Sequence, residues 1–63
     1  MACLVFGNER VDVAAGVTIE DAMIALGKHP DSFLFLLNGK PIPVTTVLDH
    51  EHVINALRVA SGG

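Results

Sequence analysis

The feature that most constrains the fold of this chain is the dipeptide Asn38-Gly39, which separates an apolar run, Phe33–Leu37, from the segment Lys40–Pro43. An Asn-Gly pair between strand-like segments is the strongest short-range signal for a β-hairpin, because both residues tolerate positive φ. The unbroken apolar run predicts a strand that is buried on both faces. The second segment carries two prolines, which cannot donate to a sheet ladder, and is predicted to be an edge strand.

A second hairpin is predicted at the start of the chain. Leu4–Phe6 is a short apolar run, and Gly7-Asn8-Glu9 is a turn sequence. Arg10–Val13 then alternates polar and apolar residues, as a half-buried strand does.

One helix is predicted over Ile19–Leu26. The Thr18 hydroxyl can cap its first turn, and acidic residues follow where the helix dipole favours negative charge. Gly27 is expected to end the helix in the left-handed conformation. Apolar residues recur at the spacing that places them on one buried helical face: Ile19, Ala22, Met23 and Leu26.

The predicted order of elements is β-β-α-β-β-β, with a loop over 45–52 and a last strand over Val53–Val59. This order indicates an α+β protein with a mixed sheet and one helix packed on one face. The first and last strands would lie parallel at the centre of the sheet, as in the β-grasp or ubiquitin-like roll. We predict a single domain over residues 1–63, with a flexible tail at 60–63.

The last strand divides into two sets of residues that face opposite sides of the sheet. Both sets contain apolar residues, so one can pack on the helix while the other leaves an apolar patch on the open side. A register shift of one residue would exchange the two sets and bury Leu57 instead of Ile54. The residues that we predict to dock a partner are the outward members of this strand and one tail residue: Asn55, Leu57, Val59 and Ser61.

Composition narrows the class of partner. The net charge is −3, and the four basic residues are scattered, which is a poor footprint for nucleic acid. No apolar run is long enough to span a membrane, and the start of the chain lacks the basic region of a signal peptide. We expect a cytoplasmic monomer that binds neither nucleic acid nor membrane.

No arrangement of reactive side chains predicts catalysis, and so small a chain cannot readily enclose a substrate pocket. Cys3 lies in an apolar segment, where a free cysteine usually packs as a small hydrophobe. His50 and His52 alternate, but a structural zinc site needs about four ligands, so two solvated loop histidines are favoured. We therefore predict no catalytic residues, no metal site and no bound cofactor.

The sequence ends in Gly62-Gly63, a pair without Cβ atoms that could enter a channel too narrow for side chains. A terminal carboxylate there would be the reactive group, and adenylation with ATP would give it a leaving group. An incidental Gly-Gly end on an interaction module is the alternative.

Nearly the whole chain resembles the ThiS/MoaD family of sulfur carriers and the similar archaeal ubiquitin-like modifiers. The residues that carry the resemblance are LNGKPIP at 37–43 and LRVASGG at 57–63, with the 18–26 helix in the place of the family's own. One departure is Asp49-His50-Glu51-His52, where members usually have a Gly-Asp turn.

The resemblance implies a β-grasp fold and a function for the tail. A ubiquitin-activating-type adenylyltransferase would use ATP to activate the Gly63 carboxylate. The product would become a thiocarboxylate, which serves an acceptor enzyme in cofactor or tRNA thiolation. Alternatively, Gly63 would be joined to lysines of target proteins. The resemblance does not choose between the two.

Overall fold

The computed structural model describes residues 1–59 of the 63-residue chain. Those residues form five strands, one helix and one short 3₁₀ turn, and no helix among them is long and apolar enough to cross a membrane. In chain order the elements are β1 (Ala2–Phe6), β2 (Glu9–Val13), α1 (Ile19–Ala25), the 3₁₀ turn (Pro30–Ser32), β3 (Phe33–Leu37), β4 (Lys40–Ile42) and β5 (Val53–Arg58).

The five strands form one mixed sheet in the order β2-β1-β5-β3-β4. β1 and β5 run parallel at the centre, and the other three neighbouring pairs are antiparallel. With one helix against the sheet, this is the ubiquitin-like β-grasp topology, and it confirms the predicted fold class. β4 is an edge strand, as predicted from the prolines of the segment Lys40–Pro43.

Both hairpins form where the sequence placed them. Asn38 and Gly39 have φ values of 54° and 79°, so the turn between β3 and β4 has positive φ at both central residues. That is the type I′ pattern, whose twist matches that of the flanking strands. In the turn between β1 and β2 only the first central residue, Gly7, has positive φ, at 62°, which is the type II′ pattern.

The helix begins as predicted and ends one residue early. The N–H of Asp21 donates to the Thr18 hydroxyl at 3.1 Å, and Gly27 takes the left-handed conformation with φ of 75°. The prediction that Leu26 is buried is wrong. The helix ends at Ala25, so Leu26 forms the C-cap at the rim of the core and remains 36% exposed.

The prediction that β3 is buried on both faces is also wrong. Phe35 is buried on the side of the helix, whereas Leu34 points to the opposite side and is 41% exposed. Within the described residues a single helix covers a single face, so the outward half of the apolar run is left without a covering layer. The core on the helix side consists of Ala2, Leu4, Val13, Ile19, Ala22, Met23, Phe35, Leu48, Ile54 and Ala56.

The segment between β4 and β5 is irregular, as predicted, yet it is held firmly at one point. Leu48 is buried, and its backbone N–H donates to the Val17 carbonyl at 2.8 Å while its carbonyl accepts from the Gly16 N–H at 2.8 Å. A bridge pairs Thr18 with Val47. These contacts tie the loop to the start of the helix and set where β5 begins.

Candidate docking face beside the C-terminal strand

The two sides of β5 differ sharply in exposure. Ile54 and Ala56 are 0% and 4% exposed, whereas Val53 and Leu57 are 44% and 48% exposed. Asn55 is also exposed. The odd-numbered residues therefore face away from the helix, and Leu57 is not a core residue.

Neighbouring strands extend this surface across the centre of the sheet. Leu57 lies opposite Leu34 of β3, while Asn55 stands between Val5 of β1 and Leu36 of β3. One polar side chain is thus surrounded by aliphatic ones. We call this surface the open face, and it consists of Cys3, Val5, Leu34, Leu36, Val53, Asn55 and Leu57.

The sequence did not identify the contributions of β1 and β3 to the open face. A usable signal was present in the run Phe33–Leu37, because residues next to a buried strand residue must point to the other side. Once Phe35 is assigned to the core, Leu34 and Leu36 fall on the open face. Because every residue of the run is apolar, the sequence does not show which of them alternate between the two faces.

The end of β5 is anchored to the 3₁₀ turn. The backbone N–H of Val59 donates to the Ser32 carbonyl at 2.9 Å, and Arg58 pairs with Phe33. Val59 itself is 38% exposed. The remaining predicted site residues, Ser61, Gly62 and Gly63, lie outside the described residues.

Positive charge gathers near the end of β5. A shallow cleft of about 180 Å³ is lined by two basic side chains, Lys28 and Arg58, with three neighbouring residues. The Lys28 Nζ lies 4.9 Å from the centroid of the Phe6 ring, a cation–π distance. An overall acidic chain therefore presents cations beside the point where its tail begins.

The turn before β5, Asp49–His52, adopts a definite geometry although it contains no glycine. Asp49 Oδ1 accepts from the His50 N–H at 2.8 Å, and the Asp49 carbonyl accepts from the His52 N–H at 3.2 Å. Glu51 has φ of 71°, a left-handed conformation that favours glycine. The His52 carbonyl then accepts from the Cys3 N–H at 2.9 Å, which aligns β5 with β1.

His52 has a structural role in this turn. The Asp49 N–H donates to His52 Nδ1 at 3.0 Å, so that ring nitrogen stabilises the turn. No group of three or more His, Cys, Asp or Glu side chains in residues 1–59 is placed to hold a metal ion.

Cys3 is half-buried at the edge of the open face. Its Sγ lies 3.9 Å from the Leu4 carbonyl oxygen, and its cross-strand neighbours are Asp12 and Val53. Neither neighbour is a cation that would activate a thiol. The position fits the interpretation of Cys3 as a small apolar residue.

A broad concavity lies beside the start of β5. It measures about 640 Å³ and includes the Asp49 turn and the Ala14–Gly16 connection. β5 has six residues and spans roughly 20 Å, so this concavity is remote from Arg58 at the other end of the strand.

Neither a scan against protein-family models nor a search of curated proteins finds a match to this chain. The assignment that the geometry supports is therefore the fold, a ubiquitin-like β-grasp domain with an apolar open face beside its C-terminal strand.

Proposed function

We propose that this chain is a ubiquitin-like sulfur carrier whose Gly63 carboxylate is adenylated by a partner enzyme and converted to a thiocarboxylate. The observation that carries the proposal is the continuity between the open face and β5, the strand that leads into Gly62-Gly63. The carrier supplies an acyl group and a docking surface, and the partner supplies the catalysis.

The open face has the character of a protein-docking surface. Leu34 and Leu57 lie opposite each other and are both more than 40% exposed, and the centre of the face carries Asn55. Apolar patches with few polar groups recur at protein interfaces, where aliphatic contact supplies affinity and a polar group fixes orientation. The adenylyltransferase would cover this face.

Chain length limits where the partner's reactive centre can lie. Gly63 is the fourth residue after Val59, and a fully extended chain spans at most roughly 3.6 Å per residue. Gly63 thus reaches at most about 14 Å beyond the anchored end of β5. A partner that covers the open face must hold ATP within that distance.

The proposed chemistry needs only the terminal carboxylate of this chain. One carboxylate oxygen of Gly63 attacks the α-phosphorus of ATP, and the bond to pyrophosphate breaks to leave an acyl adenylate. Sulfide then attacks the acyl carbon, and AMP departs with the bonding electron pair. The product is a thiocarboxylate at Gly63, ready to transfer its sulfur to an acceptor enzyme.

Intact mass spectrometry of the chain purified natively from its own cells tests the proposal. We expect a species in which one sulfur replaces one oxygen, with the change mapped to Gly63. A chain that ends at Gly62, without Gly63, is the matched control and should show no such species. The same spectra test whether Gly63 carries the terminal carboxylate.

Two other results would replace the proposal. Branched peptides that join Gly63 to lysines of other proteins, without any thiocarboxylate, would indicate a protein modifier. A plain carboxylate after incubation with ATP, sulfide and the host's adenylating enzyme would indicate an interaction module instead.

A further inference from the structure

The two edges of the sheet are unequal. β4 has three residues and includes Pro41, which cannot donate to a neighbouring strand. β2 is the other edge, with five residues, Glu-Arg-Val-Asp-Val, and no proline. An edge of this kind presents free backbone groups that can pair with another strand.

The hydrogen bonding of β1 shows which groups of β2 are free. The Cys3 N–H donates to the His52 carbonyl, so the backbone groups of Cys3 point toward β5. Alternation along an antiparallel pair then makes Leu4 and Val11 a hydrogen-bonded pair. It follows that the N–H and C=O groups of Arg10 and Asp12 point outward from the sheet.

The side chains of the same two residues carry opposite charges. Arg10 and Asp12 are exposed, and they lie on one face of the sheet because they are two positions apart. The strand is therefore self-complementary in its outward backbone groups and in its charges.

We propose that β2 pairs antiparallel with β2 of a second copy of this chain, in a register centred on Val11. In that register Arg10 of each copy stands opposite Asp12 of the other. The two cross-strand pairs join residues whose backbone groups point outward, so each pair exchanges two hydrogen bonds. The five-stranded sheets become one continuous ten-stranded sheet.

Charge selects this register over its neighbours. A shift of two residues in one direction places Arg10 opposite Arg10 of the second copy, and a shift in the other direction places Asp12 opposite Asp12. Like charges directly opposite one another are destabilising, whereas opposite charges stabilise a strand pair. Only the register centred on Val11 brings unlike charges together at the free edge.

The symmetry of this pairing brings a second feature to the interface. The two-fold axis is perpendicular to the sheet, so both helices lie on the same side of it. A groove of about 270 Å³ lies between β2 and α1, and in each copy it borders the shared edge. The half-exposed Leu26 of the helix C-cap lines this groove with five other apolar residues and two acidic ones: Val13, Ala14, Val17, Ala22, Ala25, Asp12 and Asp21.

The dimer is expected to be weak and reversible. One short strand pair covers less than the roughly 1,200–2,000 Å² of a stable interface. The monomer predicted from the sequence is the expected species in dilute solution, and the dimer is expected as the concentration rises. The open face is on the side of the sheet opposite the helices, and it stays accessible in both the monomer and the dimer.

Sedimentation equilibrium with charge-reversal variants tests the proposal. The wild-type mass should rise from 6.6 kDa toward twice that value as the concentration approaches about 1 mM. Arg10→Asp and Asp12→Arg should each remain monomeric, and an equimolar mixture of the two should associate again. Asp31→Arg, which reverses an exposed charge outside β2, should associate like the wild type.

Residue-resolved amide exchange locates the interface. Exchange at Arg10 and Asp12 should slow at least severalfold between dilute and concentrated samples, while Val11, already bonded to β1, should change little. A wild-type chain that stays monomeric at the highest concentration overturns the proposal. A dimer whose Arg10 and Asp12 amides do not slow, or whose single reversals associate normally, overturns it as well.

Discussion

Leu57 of β5 lies directly opposite Leu34 of β3, and the two side chains keep 48% and 41% of their surface exposed. They form the aliphatic pair of the open face nearest the end of β5. Because both side chains are exposed, a substitution at Leu57 is expected to weaken partner docking while leaving the stability of the fold nearly unchanged.

Leu57→Asn is expected to lower kcat/KM for adenylate formation by about tenfold or more, because we expect Leu57 to be a hot spot of the interface, and substitution of a hot spot costs about 2 kcal/mol or more of binding. The free energy of unfolding should change by less than about 1 kcal/mol, since the side chain is half-exposed. Pyrophosphate release with the host's adenylating enzyme measures the first quantity, and urea unfolding measures the second.

Val47→Asn is the matched control for that experiment. Val47 is 56% exposed but lies in the loop before β5, away from the open face. Its substitution should leave kcat/KM unchanged. Equal losses in the two variants would show that the open face does not dock the enzyme.

Glu51→Gly is expected to stabilise the domain by about 1 kcal/mol, because Glu51 has φ of 71° and glycine removes the steric cost of that conformation. Thermal unfolding should show a higher Tm. Glu20→Gly, in the exposed first turn of the helix, should have the opposite effect, since glycine weakens a helix by about 1 kcal/mol. A Tm that falls in both variants would contradict the left-handed assignment.

Thr18→Ala is expected to cost about 1 kcal/mol of stability, because the Asp21 N–H loses the hydroxyl that accepts its hydrogen bond. Thr18→Ser retains a hydroxyl and should lose much less. Denaturant unfolding of the two variants measures the difference. Identical losses would mean that the hydroxyl contributes nothing as a cap.

Cys3→Ala is expected to leave sulfur loading of the chain unchanged, because the proposed chemistry uses only the terminal carboxylate. Cys3 is half-buried, and its cross-strand neighbours Asp12 and Val53 are not cations. Intact mass after loading with ATP, sulfide and the host's adenylating enzyme measures the effect. The sulfur would be assigned to Cys3 if Cys3→Ala no longer gained it while a chain that ends at Gly62, without Gly63, still did.

Local signals in the sequence accounted for most of the fold. Asn38-Gly39 specified a hairpin because its residues accept positive φ at low cost, and Thr18 specified a helix start because its hydroxyl satisfies a free N–H. The alternation in β5 defined two opposite sides in advance of any structure. The proposed role of Gly62-Gly63 also came from the sequence and remains a prediction for mass spectrometry.

The tertiary structure decided what a periodic pattern cannot express, namely which surfaces are covered. Phe33–Leu37 is uniformly apolar, and only the placement of a single helix on one side buries Phe35 and leaves Leu34 exposed. Glu51 takes a left-handed conformation because the surrounding hydrogen bonds hold the turn, although its residue type disfavours it. The free backbone groups of Arg10 and Asp12 follow from the pairing of β1 with β5, strands separated by most of the chain. Local residue preferences determined the elements, whereas burial and strand pairing depend on contacts between distant segments.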